Sequence, residues 1–231
     1  MQLRSMAIGF ALCCGCATPG ATSAEPEGQR MLSDDTFSSM IFNIQLAVKD
    51  TDKSIRIYFR GYCDENHMPY YQEIPFPIVK LRTPPQGTSE VLRVRSIFKD
   101  DKSVAILEDA KGIIRIRIGD PEDDILRTRI HRLTLSSQEQ YNARFAIGSM
   151  ERAPEVKEAA RKMGLEQTVP RLSGLVTPSS ERFPHLPPAI ENKSMDEMLD
   201  LIAVTLHSIV IFGACSDQYM VYDAGRLEGG R

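Results

Sequence analysis

This chain lacks the usual signatures of catalysis. Its 231 residues contain no Walker-type phosphate loop, no Gly-x-Gly-x-x-Gly turn and no Gly-x-Ser-x-Gly elbow, so the familiar nucleotide-dependent and nucleophilic enzymes lose their sequence support. The four histidines, His67, His131, His185 and His207, have no metal-type spacing, and neither Cys-x-x-Cys nor His-Glu-x-x-His occurs. No metal or other cofactor is therefore expected. An excess of positive charge is missing too: 28 Lys and Arg stand against 31 Asp and Glu, a net charge of −3. Such a balance gives no general attraction for nucleic acid or an anionic membrane, and the Gly-x-x-Gly loop of a KH-type RNA binder is absent. After residue 17 no apolar run has the length of a membrane span.

What is present begins with the N-terminus. Arg4 precedes an apolar run over residues 6–17, the length of a signal h-region, and Thr22, Ser23 and Ala24 supply a small-x-small cleavage site. Residues 1–24 are thus expected to be a signal peptide, and residues 25–34 a flexible tether. Gly15-Cys16 also fits part of a bacterial lipoprotein signal, which makes Cys16 a candidate for lipidation and a lipid anchor the one expected link to a membrane. Of five cysteines, only Cys63 and Cys215 lie in the mature body. In an oxidising compartment they are a candidate disulfide, closing a loop of about 150 residues and contributing ~4–5 kcal/mol in the chain-entropy view.

The fold class expected from patterning is α+β, with two small β-α-β-β units separated by a helical hairpin. The first unit spans 35–135. In it Ile55, Ile57 and Phe59 alternate with Arg56, Tyr58 and Arg60, the pattern of a half-buried strand. A strand around 77–81 leads to a helix with Thr88 as N-cap and Val91, Val94 and Phe98 on one face. A hairpin follows over 103–118, turning at 108–112. Residues 121–127 read as a short helix and 130–135 as a strand. Ser136 and Glu139 have capping-box spacing and open the helical hairpin of 136–164, whose second helix stops at Gly164. A Pro-rich connector covers 165–186. The second unit, 187–224, repeats the order: a strand at 188–190, a helix opened by Ser194 and Glu197 with Met195, Met198, Leu199, Ile202 and Leu206 buried, then strands at 209–212 and 219–222. Residues 225–231 read as a disordered tail.

The stretch from Leu186 to Ala203, in which Pro187, Pro188, Ala189 and Ile190 lead through a polar turn into a helix rich in Asp, Glu and Leu, resembles the short N-terminal domain shared by secretins and TonB-dependent receptors. Residues 76–118 follow the same order with a longer βα loop. The resemblance implies a module that binds other envelope proteins by adding sheet edges or packing helix faces. No long series of amphipathic strands follows residue 223, so the chain is not expected to build an outer-membrane barrel itself.

The acids at 120–124 suit a helix N-terminus, and Asp196, Glu197 and Asp200 decorate a helix whose other face is core. Of Arg115, Arg117, Arg127, Arg129 and Arg132, several are expected on one sheet face, a polar outer face paired with neighbouring acids, with recognition of an acidic partner or a lipid headgroup as the alternative. Tyr58, Tyr62, Tyr70 and Tyr71 either cover a small core or form a binding patch. No catalytic residue is assigned. The expectation is an exported, non-enzymatic envelope protein, periplasmic or outer-membrane-associated, acting as an accessory or assembly module on protein partners. The alternatives are a secreted or periplasmic ligand-binding protein, or an enzyme with an unrecognised site.

Overall fold

Two separate sets of apolar residues require two cores, and a single mixed sheet lies between them. A computed structural model of the chain describes residues 34–49, 51–60, 62–63, 69–70, 87–98, 101–102, 104–119, 124–168, 184–215 and 217–227; for 34–39, 62–63, 69–70 and 226 only the main chain is described. The signal peptide of 1–24, tether residues 25–33, Cys16 and the strand expected around 77–81 lie outside the described residues, and Asp34, expected to end the tether, opens a helix.

The elements run α1 (Asp34–Ala47), β1 (Ser54–Arg60), β2 (Tyr62–Cys63), β3 (Pro69–Tyr70), α2 (Glu90–Ile97), β4 (Val104–Glu108) and β5 (Ile113–Ile118). A 3-10 turn (Asp124–Arg127) leads to β6 (Arg129–Thr134), α3 (Ser137–Tyr141), α4 (Ala143–Glu151), α5 (Pro154–Met163) and β7 (Glu166–Gln167). The chain closes with β8 (Ala189–Ser194), α6 (Met195–Leu206), β9 (Ser208–Cys215) and β10 (Gln218–Arg226). Among the described residues six strands form the main sheet, in the order β4-β5-β1-β9-β10-β7. β1 is parallel to both β5 and β9, and the hairpins β4–β5 and β9–β10 flank it. The hairpins of the two expected units therefore share one sheet.

The fold is α+β, as patterning indicated. One detail differs: β8, the leading strand of the second unit, pairs antiparallel with β6 and not with the main sheet. Its Lys193, Glu191 and Ala189 alternate with Ile190 and face a ribbon partner of like character, Arg129 to Thr134. Neither could sit in a sheet buried on both sides.

On one face α1 and α2 cover Ile55, Ile57, Phe59, Ile114, Ile116, Ile118, Ile209 and Ile211. In α1, Met40, Ile44 and Ala47 recur at helical spacing and make the buried stripe. On the other face α4, α5, α6 and the β6–β8 ribbon cover Tyr58, Val210, Phe212, Ala214 and Val221. β1 is consequently buried on both sides from Ser54 to Phe59, which corrects the half-buried reading. A central strand between two helical layers has no solvent face, so its alternating polar residues must find partners inside.

Local capping follows the sequence closely. Ser136 with Glu139 and Ser194 with Glu197 both form reciprocal capping boxes, and Gly164 ends α5 at φ 67°. α2 is capped by Ser89, whose hydroxyl accepts the Leu92 N–H, and not by Thr88, because the first helical residue is Glu90. The second hairpin continues to Arg226, and Leu227 is buried, so ordered structure extends past residue 225. Within the connector, β7 joins β10.

Gly213 stands opposite Phe59 in the parallel ladder, and a Cβ there would lie 2.0 Å from Phe59 Cζ. The flat ring takes the space a side chain would need. Gly213→Ala is expected to destabilise the fold by ~1–3 kcal/mol through overpacking, read as a lower urea midpoint at unchanged slope. Phe59→Leu in the same chain should recover part of the loss.

Candidate functional site

The most concentrated polar chemistry lies where α6 crosses β1 and β5. Register places Arg56 beside Arg115, and Tyr58 beside Arg117, so two cross-sheet rows carry three arginines and a tyrosine on one face. Arg56 is fully buried. A guanidinium there needs acids held above it, and α6 supplies them at i and i+4. Arg56 Nη1 donates to Asp200 Oδ1 at 2.7 Å and to the Asp196 carbonyl at 3.1 Å, while Nη2 donates to Asp196 Oδ1 at 3.0 Å. Arg115 Nη2 donates to the other Asp200 oxygen at 2.5 Å, and its Nε donates to Asp109 at 3.0 Å.

Tyr58 sits between the two arginines. Its hydroxyl donates to Asp196 Oδ1 at 2.9 Å and accepts from Arg115 Nη1. The Arg56 guanidinium lies 4.7 Å from its ring centroid and that of Arg117 5.7 Å, within range for cation–π attraction. Burial raises the Tyr58 pKa above its ordinary value, so the hydroxyl stays protonated. For Arg115 burial opposes the charge, but Asp200 and the other anions outweigh it and hold the pKa above the usual range. Asp109 is also desolvated, yet the Ile113 and Lys111 amides and Arg115 bring its pKa below normal.

This arrangement corrects the reading of α6 and β5. Asp200 is buried and shared by two guanidiniums instead of decorating a solvated face. Of the five arginines, two share a face of the main sheet and the others lie elsewhere. Arg115 and Arg117 stand on the main sheet; Arg129 donates to the Asn192 carbonyl and Arg132 pairs with Glu191 on the ribbon, and Arg127 pairs with Asp124 in the 3-10 turn. The tyrosines divide as well: Tyr58 is in the ionic cluster, Tyr62 pairs with Tyr70 across β2–β3, and Tyr71 lies outside the described residues.

The remaining candidates are scattered. His131 is exposed, the His185 ring lies 5.0 Å from that of Tyr141, and buried His207 places Nε2 3.2 Å from the Thr51 carbonyl oxygen. His67 and the acids at 120–123 lie outside the described residues. Among the described residues no group of three His, Cys, Asp or Glu is placed to hold a metal. Cys63 ends β2, buried Cys215 ends β9, and β2 packs against β9.

Glu151, which the sequence did not single out, is a second buried acid. It ends α4 against β10, where the Val221 amide and the Gln167 side chain favour its charge. Desolvation is stronger and pushes its pKa up to about 8, and its Oε1 accepts no hydrogen bond. Asp223, on the same strand, is raised to about 6 by burial despite accepting the Gly225 N–H. A carboxyl group at a helix C-terminus facing an apolar strand was the available signal for Glu151.

No family model, curated protein or solved structure matches this chain.

Two expectations follow. Tyr58→Phe removes a hydroxyl that bridges Asp196 and Arg115, and should cost ~1.5–3 kcal/mol in urea unfolding while leaving the helical circular dichroism intact. For Glu151 the folded pKa of about 8 exceeds the unfolded value of 4.5, so the neutral acid is the form the fold favours. Its contribution is fully present below about pH 4.5 and is lost as pH rises to about 8. Between pH 6 and 8, above the range of Asp223, wild-type stability should therefore decline, by up to ~1.4 kcal/mol per pH unit, whereas Glu151→Gln should be flat.

Proposed function

We propose that this chain is an exported, non-enzymatic protein of a bacterial cell envelope, an accessory or assembly module that recognises other proteins by sheet-edge addition. The observation that carries this reading is the β4 edge. Among the described residues no strand pairs with β4 beyond β5. The Asp109 N–H donates to the Ile113 carbonyl, which by antiparallel alternation turns the main-chain groups of Val104, Ile106 and Glu108 outward. Arg95 of α2 donates to the Ile106 carbonyl at 3.1 Å, a displaceable guard of the kind that keeps an edge from uncontrolled pairing.

The opposite edge is less open. β7 pairs with β10 at Gln218 and Tyr219, and Glu151 faces the Val221 amide beyond. The signal-like N-terminus supports export, and the likeness to secretin-associated N-domains supports an envelope partner. The ionic cluster favours a scaffold over an enzyme, since its arginines and aspartates are spent on one another.

A photo-crosslinking residue placed at Leu107 in cells should give a defined adduct with an envelope protein, and the same residue at exposed Lys157 of α5 should not. Equal labelling from both positions, or recovery of the chain from the cytoplasm with its first 24 residues intact, would contradict the reading. In the exported state Cys63 and Cys215 form a disulfide between β2 and β9. The unfolded, unreduced mature protein should then show no reactive thiol from this pair; finding both would remove the bridge.

A further inference from the structure

The same edge carries information about what it takes. Of the basic groups around Tyr58, Arg56 is paired with Asp196 and Asp200, Arg115 with Asp109 and Asp200, and Lys111 lies 3.6 Å from Asp200. Arg117 is the exception. It is exposed, has no ion pair among the described residues, and is held by the Tyr58 ring at 5.7 Å. Among the described residues only Ala105, its partner in the β4–β5 register, stands between it and the edge, and its methyl group leaves the way across the strand open. The next residue of β4 on that face is Leu107, 44% exposed.

We propose that β4 takes an extended peptide segment bearing an acidic residue opposite Ala105 and an apolar residue opposite Leu107, the acid pairing with Arg117 across the alanine. This rests on β4 being the recognition edge. Two strand spacings of ~4.8 Å separate β5 from an added strand, within the joint reach of an arginine and a glutamate or aspartate. A basic residue at the same place would meet Arg117 unneutralised, and like charges side by side on a sheet destabilise pairing. The added strand also takes over the Ile106 carbonyl, so Arg95 must release it. Arg95 therefore limits affinity, and Arg117 sets the preference for charge.

The test uses the full mature chain and blocked, fluorophore-labelled peptides of about ten residues, a strand's length, alternating valine and threonine around one central aspartate or one central lysine. Anisotropy should show the aspartate peptide binding about five- to tenfold more tightly. Arg117→Glu, an exposed substitution, should reverse the preference, and Arg95→Ala should tighten binding of the aspartate peptide. Amide exchange at Ile106 and Glu108 should be fast in the free chain and slowed by that peptide. Slowed exchange with no charge preference would overturn the role of Arg117 while leaving edge addition standing. Exchange already slow in the free chain, or no binding up to about 1 mM, would overturn the proposal, and the former would also remove β4 as the recognition edge.

Discussion

A buried guanidinium sets the geometry of this protein. Arg56 lies in the central strand with no solvent on either side, and an unpaired charge there would cost several kcal/mol. Asp196 and Asp200 answer it from one face of α6, which fixes that helix in position and rotation over β1. Because Asp200 also holds Arg115, β5 is drawn into the same network. Three elements far apart in sequence thus share one electrostatic condition, with Tyr58 packed among them as both hydrogen-bond bridge and aromatic floor.

This condition explains the asymmetry of the sheet. α6 and α4 cover β1, β9 and β10 on the charged side, and α6 reaches β5 at Arg115, while Arg117 of β5 and Leu107 of β4 reach solvent. The opposite side is largely apolar under α1 and α2. Among the described residues one sheet edge is therefore closed by β7 and α4, while Arg95 guards the other. The difference between those edges, more than any catalytic grouping, is what directs the functional reading toward binding.

The parts of this fold that were legible in the sequence are those decided locally. α6, its capping box and its Met195, Met198, Leu199, Ile202 and Leu206 stripe are set by helical periodicity, and both hairpins by alternation and turn residues. What local patterns do not carry is pairing across the chain. Arg56 and Asp200 are separated by 144 positions, and nothing near either one names the other. A usable signal did exist: an arginine within an isoleucine-rich strand, and two acids at i and i+4 beside a core stripe, each imply a buried partner. The pairing of β8 with β6 was hidden for the same reason, since a short strand's period tells its exposed face and not its neighbour.

A double-mutant cycle on Arg56 and Asp200 tests this dependence most directly, using Arg56→Met, Asp200→Leu and both together in equilibrium unfolding. Each single change should cost ~3–5 kcal/mol by taking away one of the partners of a buried charge. The double variant should lose less than the sum by ~1–3 kcal/mol, because the apolar pair removes both charges at once. Additive losses, or single variants as stable as the wild type, would contradict the account.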